Sequence, residues 1–448
     1  MHHVILGAGP AGVTAAESLR KYNPGAQITL VGGEPEPPYA RMAIPYYLEG
    51  KIAETGTYLR ADPAHYDNLG ITYRQGIAGG LDANNKVLQL TTADELSFDK
   101  LLIATGASPV KPPIPGIDNP GVHTCWTLED ARNIVRLAEA GSPVVLVGAG
   151  FIGSIILEAL ARKGVKLTVV EMGDRMVPRM LDETAGNMLR NWCIEQGVSV
   201  LTGTTVTRIS GGGAESTGQS EGKPLGIFAK FFGSSDADAS KPAQGEAPSQ
   251  LSVELSSGET LPAALVVIAT GVKSNIAFLS GSGLELGDGI KVNEFLATSA
   301  PDIYAAGDIA EGRDLSTGSF DVMAIQPVAV EHGAIAARNM AGLVTPHRGS
   351  LNMNVLDTLG LITTSFGAWQ GVPGGERATI VDETARRYIR LEFDGDRLVG
   401  GQSVGVNDHI GIIRGLIQTG RRLGQWKDRL VKSPERIVEA YVATSHGL

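Results

Sequence analysis

Two glycine-rich turns in this chain have the spacing that binds the pyrophosphate of a dinucleotide. The first, Gly7-Ala8-Gly9-Pro10-Ala11-Gly12, follows the apolar run HVIL and precedes the helical pattern VTAAESLR. In such a turn the first glycine permits a tight bend and the second lets backbone N–H groups approach phosphate oxygens. The third lets helix and strand pack closely, and the helix N-terminus adds a partial positive charge. This segment is therefore predicted to bind one dinucleotide.

The second turn lies in the segment VVLVGAGFIG. Its predicted cofactor-binding residues are Gly148, Gly150, Phe151, Ile152 and Gly153. The next apolar run, KLTVVE, ends at Glu171, eighteen residues after the last of these glycines. A carboxylate there accepts hydrogen bonds from a ribose 2′-OH and repels a 2′-phosphate, which favours NADH over NADPH. Arg175 and Arg179 follow closely, so some use of NADPH stays open.

The acid expected after the second strand of the first half is less clearly placed. The run ITLV is followed by Gly32, and the first acid is Glu34, twenty-two residues after Gly12. Glu34 either binds the adenosine ribose or is only a turn residue, and we favour the ribose.

Short β-branched runs alternate with helical patterns along most of the chain, which is typical of parallel sheets covered on both faces. The pattern starts near Val4 and again near Val144, which predicts two doubly wound domains in tandem. From about Ser350 the texture changes to alternating segments with a hairpin turn at FDGDRL, followed by a basic helical tail. The predicted fold class is α/β, with two Rossmann-like dinucleotide-binding domains and a C-terminal α+β interface domain.

One segment, residues 211–250, belongs to neither pattern. It is rich in Gly, Ser, Ala and Asp, and its flanks TVTRI and LSVELSSGETL read as two strands of one hairpin. We interpret it as an inserted loop, which its composition predicts to be solvated. Phe228, Phe231 and Phe232 would instead allow the loop to dock on a partner.

Composition excludes several classes of protein. The net charge of −10 argues against a nucleic-acid binder, which needs a basic face. No apolar run approaches the ~20 residues of a membrane-spanning helix, and the N-terminus MHHVILGAGPAG lacks a signal-peptide pattern, so we expect a cytoplasmic protein. Cys125 and Cys193 are the only cysteines, which argues against a disulfide framework, a structural zinc site or an iron–sulfur cluster held by this chain. No metal site is predicted.

Three further motifs accompany the glycine turns: LLIATGASP, VVIATGVKSN and IYAAGDIAE. Together they resemble the pyridine nucleotide–disulfide oxidoreductase superfamily, specifically its single-FAD, NADH-dependent members, over roughly residues 1–345. The resemblance implies that the first turn binds FAD and the second NAD(H). It implies an FAD-binding domain formed by residues 1–115 and 274–345, an NAD(H)-binding domain of residues 116–273 that carries the insertion, and an interface domain of residues 346–448, through which the chain could oligomerise.

The resemblance also implies roles around the flavin. Asp308 matches an aspartate that hydrogen-bonds the ribityl and phosphate region of FAD, and Thr105 and Gly106 match a turn that passes close to FAD. Arg41 matches an arginine near the flavin and its phosphates, with a surface ion pair as the alternative. The helix that starts near Pro327 would direct its N-terminal N–H groups at the flavin N1/O2 edge. The remaining implied binding residues are Gln326 beside the flavin and Gly271 at the NAD site.

The segment PPYARMAIPYYLEG departs from the disulfide-reducing members of that family. Their redox cysteine stands three residues before a PYY, where this chain has Met42. Cys125 and Cys193 lie in no corresponding motif and are interpreted as buried apolar residues. The lysine–glutamate pair of many relatives is replaced by Tyr46 and Ile155, so both halves are absent together. The sequence therefore predicts that this is not a disulfide reductase, and no catalytic side chain is assigned.

The preferred function is an electron-transfer flavoprotein subunit that exchanges hydride with NAD(H) and single electrons with an iron–sulfur partner. The resemblance is to rubredoxin and ferredoxin reductases, and more to FAD subunits of phenylglyoxylate dehydrogenase or tungsten aldehyde oxidoreductase type, which pass electrons to NAD⁺. The alternative is a stand-alone NADH oxidase that reduces O₂. A redox-sensing or structural flavoprotein is a third.

The basic C-terminal segment, residues 414–436, is a candidate docking site for that partner. It contains seven basic residues against two acids, and Arg421, Arg422 and Lys427 would meet an acidic carrier. Trp426 and Leu423 would supply an apolar anchor.

Overall fold

The computed structural model describes residues 1–211, 250–406 and 410–446. The N-terminal elements are β1 (His2–Leu6), α1 (Pro10–Tyr22), β2 (Gln27–Gly32), α2 (Ile44–Leu48), α3 (His65–Asn68), β3 (Ile71–Gln75), β4 (Ala78–Asp82), β5 (Val87–Leu90), β6 (Glu95–Ser97), β7 (Lys100–Ile103) and β8 (Ala107–Pro109). The central elements are β9 (Val122–Thr124), α4 (Leu128–Leu137), β10 (Pro143–Val147), α5 (Phe151–Arg162), β11 (Lys166–Val170), α6 (Glu183–Glu195), β12 (Ser199–Leu201), β13 (Val206–Ser210), β14 (Leu251–Leu255), β15 (Thr260–Ala263), β16 (Leu265–Ile268) and β17 (Val272–Ser274).

The chain then returns to the first region before it forms the C-terminal one. The returning elements are β18 (Ile290–Lys291), β19 (Ile303–Ala305), β20 (Ala310–Arg313), β21 (Phe320–Val322) and α7 (Gln326–Met340). The C-terminal elements are β22 (Met353–Thr358), β23 (Leu361–Gly367), β24 (Glu376–Asp382), β25 (Arg387–Asp394), β26 (Arg397–Val404), α8 (Ile410–Thr419), α9 (Gln425–Lys432) and α10 (Ile437–His446). Short 3₁₀ helices occur at Arg41–Ala43, Glu54–Thr57, Ala277–Leu279 and Pro434–Arg436.

Two five-stranded parallel sheets confirm the predicted pair of Rossmann-like domains. Their strand orders are β19-β7-β1-β2-β3 and β12-β11-β10-β16-β9. The central strands β1 and β10 are largely buried because both faces of each sheet are covered. On the second sheet, helices α4, α5 and α6 pack on one face and the antiparallel strands β13, β14 and β15 pack on the other. The core of the first sheet is shared with helices α1 and α7 and with strands β4 and β5. Strand β19 joins the first sheet from late in the chain, so that sheet is built from two separated stretches of sequence.

The two sheets repeat the same hydrogen bonds at their glycine turns. The N–H of Gly7 donates to the carbonyl of Val31 at 2.8 Å, and the N–H of Gly148 donates to the carbonyl of Val170 at 2.8 Å. Gly7 and Gly148 have φ angles of 112° and 101°, which L side chains rarely adopt. Each turn therefore leads directly from its strand into the N-terminus of a helix.

The C-terminal region is an antiparallel sheet of strand order β22-β23-β26-β25-β24, as the sequence predicts. Strands β25 and β26 form the hairpin that turns at residues 394–397. Helices α8, α9 and α10 pack on this sheet, and Leu416, Leu430 and Ala440 belong to its core. On its other side the sheet contributes Leu356 and Tyr388 to the core of the central region.

The strands on either side of the predicted insertion pair with each other. Strands β13 and β14 are antiparallel, and they bring residues 211 and 250 to the same end of a three-stranded sheet. Residues 212–249, which include Phe228, Phe231 and Phe232, lie outside the described residues. Among the helices that the structure does describe, each is too short or too polar to span a membrane.

Several residues of the basic C-terminal segment, residues 414–436, are buried or bonded within the chain. Leu423 is only 2% exposed and belongs to the core under α8 and α9, so the prediction that it anchors a partner is wrong. Arg421 donates to the carbonyl of Thr444, and Lys427 forms an ion pair with Glu376. Tertiary packing accounts for this, because Leu423 lies between α8 and α9 and packs into the apolar core that these helices form with the sheet.

Asp182 fastens the central region to the C-terminal sheet. Its carboxylate caps α6 through the N–H of Ala185 at 2.9 Å, and it accepts hydrogen bonds from Arg390 at 2.8 Å and from the hydroxyl of Tyr388. Its own N–H donates to the side chain of Gln402 at 3.0 Å. Burial raises the pKa of Asp182, but these hydrogen bonds outweigh burial and leave the pKa below its ordinary value.

Replacing Arg390 with methionine should destabilise the protein by about 3–5 kcal/mol, because Asp182 and Glu392 lose their shared cation while buried. Arg208→Met is the control, since Arg208 and Glu254 are both exposed and such pairs contribute about 1 kcal/mol or less. The measurement is the urea midpoint of each variant. Because the pKa of Asp182 is lowered in the folded state, this part of the stability is present at neutral pH and is lost as the pH falls below about 4. Equal midpoints for the two variants would contradict this account.

Candidate functional site

A cavity of about 760 Å³ lies where the two parallel-sheet regions meet. Twelve of the predicted binding residues line it: Gly7, Gly9, Pro10, Ala11, Glu34, Arg41, Thr105, Gly106, Phe151, Ile152, Asp308 and Gln326. The cavity therefore joins the first glycine turn to the beginning of α5. That arrangement can bring a ligand of the first turn next to a ligand of the second.

Other predicted residues do not line this cavity. They are Gly12, Gly148, Gly150, Gly153, Glu171, Gly271 and Pro327. Gly12 lies beneath the first turn, against the backbone of Gly7, and Pro327 lies in the first turn of α7. The others belong to the second glycine turn and its surroundings. Of the residues predicted to bind NAD(H), Phe151 and Ile152 alone line the cavity.

The glycines of the first turn divide into two kinds. A Cβ on Gly7 would overlap the carbonyl of Ala104, and a Cβ on Gly12 would overlap the carbonyl of Gly7. A Cβ on Gly9, by contrast, would meet no other atom within 4 Å. The outer glycines are therefore required by packing, whereas the space above Gly9 is open at the N-terminus of α1. Such a space suits the pyrophosphate of a dinucleotide.

The second turn repeats this division. A Cβ on Gly148 would crowd the carbonyl of Ala269, and a Cβ on Gly153 would overlap the carbonyl of Gly148. Nothing lies within 4 Å of a Cβ on Gly150, which caps the N-terminus of α5. Gly271, in the turn after β16, is equally open. The residues present at both turns fit a dinucleotide.

Glu171 is held by the second turn itself. Its carboxylate accepts hydrogen bonds from the N–H of Ala149 at 2.6 Å and from the N–H of Gly173 at 2.7 Å. The side chain is therefore fixed at the end of β11, beside the residue between the first two glycines. A carboxylate in this place can accept ribose hydroxyls with its remaining lone pairs.

The first half has no acid at the equivalent position. Sheet register aligns Gly32 with Glu171, since Leu6 pairs with Val31 as Val147 pairs with Val170. Glu34 lies two residues further on and lines the cavity, where its carboxylate bonds the hydroxyl of Tyr39 at 2.6 Å. A ribose role for Glu34 remains a prediction.

Arg41 is held at the cavity by four groups. Its guanidinium pairs with Glu34 at 2.6 Å and donates to the carbonyl of Trp126 at 2.7 Å. It lies over the rings of Tyr39 and Trp126, at 5.5 Å and 5.1 Å from their centroids. Arg41 therefore both forms an ion pair and lines the cavity, so the two alternatives that the sequence left open are compatible. Tyr39 and Trp126 were not identified from the sequence as site residues. The available signal was the position of Trp126, directly before the capping-box sequence TLED at the start of α4.

Asp308 presents a partly buried carboxylate to the cavity. Among the described residues its side chain accepts no hydrogen bond, although its backbone carbonyl is fixed by the hydroxyl of Ser274 at 2.8 Å. Burial raises the pKa of Asp308 to about 6, and the positive charge of Arg41 opposes that rise. An unpaired carboxylate beside a cavity is costly unless a ligand donates to it. Asp308 therefore fits the hydroxyl-bearing part of FAD.

The loops around Asp308 are fixed by neighbouring side chains. Asn275 donates to the carbonyl of Thr105 at 2.9 Å, and its own N–H donates to the carbonyl of Gly106 at 3.0 Å. His332, which is buried, accepts from the N–H of Gly307 and bonds the hydroxyl of Ser350 at 3.0 Å. Asn275 ends a motif quoted from the sequence, but only the fold shows that it supports this turn.

No redox pair of thiols borders the cavity in the described residues. Met42 lines it and is half exposed. Cys125 lies in its wall, whereas Cys193 belongs to the same hydrophobic core but does not line the cavity. Both are free and buried, and burial raises the pKa of each thiol to about 12. A thiol with so high a pKa is a poor nucleophile at neutral pH. Within the same residues, no cluster of three or more His, Cys, Asp or Glu side chains could hold a metal ion.

Gly9→Val should fold but lose its flavin, because Gly9 has extended backbone angles that valine adopts and the added side chain would enter the open space. Gly150→Val should keep the flavin and lose its reduction by NADH, for the same reason in the second turn. Gly12→Val, which meets backbone, should instead unfold. Flavin absorbance per chain and anaerobic reduction by NADH measure all three. A normal flavin content in Gly9→Val would contradict the assignment of the first turn.

Asp308→Asn should weaken flavin retention and yet stabilise the flavin-free protein. Because the folded state raises the pKa of Asp308 above its unfolded value, wild-type stability falls as the pH rises from about 4 to 6, by on the order of 2 kcal/mol. The amide removes that penalty at pH 7. Unfolding of the flavin-free wild type and variant at pH 4.5 and pH 7 tests this, and a variant less stable at pH 7 would refute it.

Comparisons with known proteins agree with this geometry. The family model of the pyridine nucleotide-disulphide oxidoreductases matches residues 1–228 and 236–333. The epsilon subunit of NADH-dependent phenylglyoxylate dehydrogenase from Aromatoleum evansii is 30% identical over 437 residues, 96% of this chain and 95% of that protein. An NADH oxidase from Methanocaldococcus jannaschii is 30% identical over 365 residues, 79% of this chain and 73% of that protein. The structure of an NAD-dependent persulfide reductase from A. fulgidus has a TM-score of 0.79 at 29% identity, covering 95% of this chain and 78% of that one.

Proposed function

The chain belongs to the pyridine nucleotide-disulphide oxidoreductase family and is a flavin-dependent NAD(H) oxidoreductase, and we propose that it exchanges single electrons with an iron–sulfur partner protein. The observation that carries the proposal is that no redox-active pair of thiols borders the cavity among the described residues. Met42 stands where the disulfide-reducing members have a cysteine. Of the two cysteines, Cys125 lies in the cavity wall as a buried free thiol whose pKa burial raises to about 12, and Cys193 is buried and does not line the cavity.

The bound cofactors supply hydride exchange between NAD(H) and FAD and release of electrons one at a time. The residues proposed to hold FAD are Gly7, Gly9, Pro10, Ala11, Gly12, Glu34, Arg41, Thr105, Gly106, Asp308, Gln326 and Pro327. Those proposed to hold NAD(H) are Gly148, Gly150, Phe151, Ile152, Gly153, Glu171 and Gly271. No side chain among them needs to transfer a proton to the nicotinamide, since the hydride passes between the two cofactors.

The protein residues contribute binding and fixed charge. Arg41 supplies a cation whose position is set by Glu34 and Trp126, and Asp308 supplies an acceptor for hydroxyl groups. Helix α7 begins at Gln326, which lines the cavity, so the positive end of its dipole would favour negative charge there. Glu171 favours NAD(H) over its 2′-phosphorylated form by charge repulsion.

The proposed reaction balances with two molecules of carrier. One NADH gives up a hydride, which is equivalent to two electrons and one proton. Two oxidised carriers each take one electron, leaving NAD⁺ and one proton in solution. We propose that the physiological direction is the reverse, with reduced carriers supplying electrons to NAD⁺. The relative from Aromatoleum is by name one subunit of a dehydrogenase, which supports work alongside other chains.

A stand-alone NADH oxidase is the second candidate, because the relative from Methanocaldococcus bears that name. The oxidase reaction differs from the proposed reaction only in the electron acceptor, which is O₂ in place of an iron–sulfur protein. The test compares acceptors with the purified, FAD-loaded protein: NADH oxidation is followed in air-saturated buffer, and anaerobically with an acidic [2Fe–2S] ferredoxin that reports through cytochrome c.

We expect the ferredoxin rate to exceed the oxygen rate at least about tenfold at low ionic strength, as electrostatic steering allows. Boiled protein and protein stripped of FAD are the controls for direct reduction of cytochrome c. An oxygen rate that equals or exceeds the ferredoxin rate would favour the oxidase and contradict the proposal.

A further inference from the structure

We propose that the exposed side of α2, beside the cavity, is the docking surface for an acidic one-electron carrier protein. This inference rests on the proposed function, because it names where the partner of that reaction binds. We call the surface the α2 face and define it by Met42, Tyr46, Lys51, Arg132 and Arg162.

The centre of the α2 face is apolar. Met42 lines the cavity and 49% of its surface is exposed, which is consistent with a position at the edge of the cavity. Tyr46 follows four residues later and is 52% exposed, whereas Ile44 and Leu48 on the inner side are buried. A protein seated on Met42 would lie directly outside the cavity. An exposed tyrosine and methionine are also the residue types that anchor interfaces.

Cations border one side of this centre. Lys51 follows α2 and Arg162 ends α5, which packs against α2, and both approach the carboxylate of Glu49. Their side chains are 51% and 46% exposed, while that of Glu49 is only 7% exposed. Lys51 also lies over the ring of Tyr46, at 5.9 Å from its centroid.

The other side is bordered in the same manner. Arg132 belongs to α4, which also packs against α2, and it pairs with Glu36 at 2.8 Å and with Glu54 at 2.7 Å. Its side chain is more exposed than either acid. In each pair the cation points outward and the acid lies beneath it. The pairs nearly cancel at long range, but a partner at contact distance meets the cations first.

This arrangement selects one kind of occupant. Carboxylates around the redox centre of a carrier would meet Lys51, Arg132 and Arg162 as their apolar neighbours covered Met42 and Tyr46. A second copy of this chain would bring the same cations to the contact, and like charges placed close together are unfavourable. The basic C-terminal segment fits less well, since Leu423 is buried and Lys427 and Arg421 are already bonded within the chain.

The experiment uses the FAD-loaded protein with NADH and an acidic [2Fe–2S] ferredoxin as the probe. Tyr46→Glu and Lys51→Glu place negative charge on the α2 face, and Lys432→Glu places the same charge on the exposed side of the C-terminal segment. Reduction of a small neutral quinone measures the activity that does not need docking. We expect both α2-face variants to raise the KM for ferredoxin at least about fivefold at low salt, with quinone activity and the Lys432→Glu variant unchanged.

The outcomes separate this inference from the proposed function. A wild type that does not reduce ferredoxin at all contradicts the proposed function itself. Ferredoxin reduction that Tyr46→Glu and Lys51→Glu leave unchanged, or that Lys432→Glu weakens equally, overturns the α2 face alone. Analytical sedimentation of wild type and Tyr46→Glu tests whether a second copy of this chain binds the α2 face instead. A wild-type dimer that the substitution converts to a monomer would assign this surface to a second copy and overturn the proposal.

Discussion

The close contact between each glycine turn and the strand beside it is the constraint on which the rest of the structure depends. Gly7 packs against the carbonyl of Ala104, and Gly148 against the carbonyl of Ala269, so neither position has room for a Cβ. These contacts direct α1 and α5 so that their N-termini open toward ligand space at Gly9 and Gly150. A side chain at the outer glycines would disturb the fold, whereas one at the middle glycines would obstruct only the ligand.

The polar groups of the cavity follow from that geometry and favour binding at the expense of stability. Arg41 is held by Glu34 and the carbonyl of Trp126, so its position is set before a ligand arrives. The carboxylate of Asp308 has no donor among the described residues and has a raised pKa. A ligand that donates a hydrogen bond to this carboxylate would relieve that penalty, and its binding would then be coupled to folding.

Much of the fold could be predicted from the sequence, because glycine spacing and apolar periodicity are local properties. The contacts around Arg41 could not, since Trp126 lies 85 residues away in sequence. The prediction that Leu423 anchors a partner was wrong for a similar reason. The charge of the basic C-terminal segment predicts an exposed patch, but packing against the C-terminal sheet buries Leu423. The strand register also shows that Gly32, rather than Glu34, is the residue of the first sheet equivalent to Glu171 of the second. Such features depend on which distant segments meet.

The central claim is that flavin is the sole redox centre on this chain and that its electrons leave to another protein. The most direct test is an anaerobic titration of the oxidised, FAD-loaded protein with NADH, followed at the flavin absorbance maximum. The account predicts full reduction at about one equivalent of NADH per FAD, because neither Met42 nor the two buried cysteines can accept electrons. An end point near two equivalents would reveal a second two-electron centre, such as a disulfide, and would contradict the account.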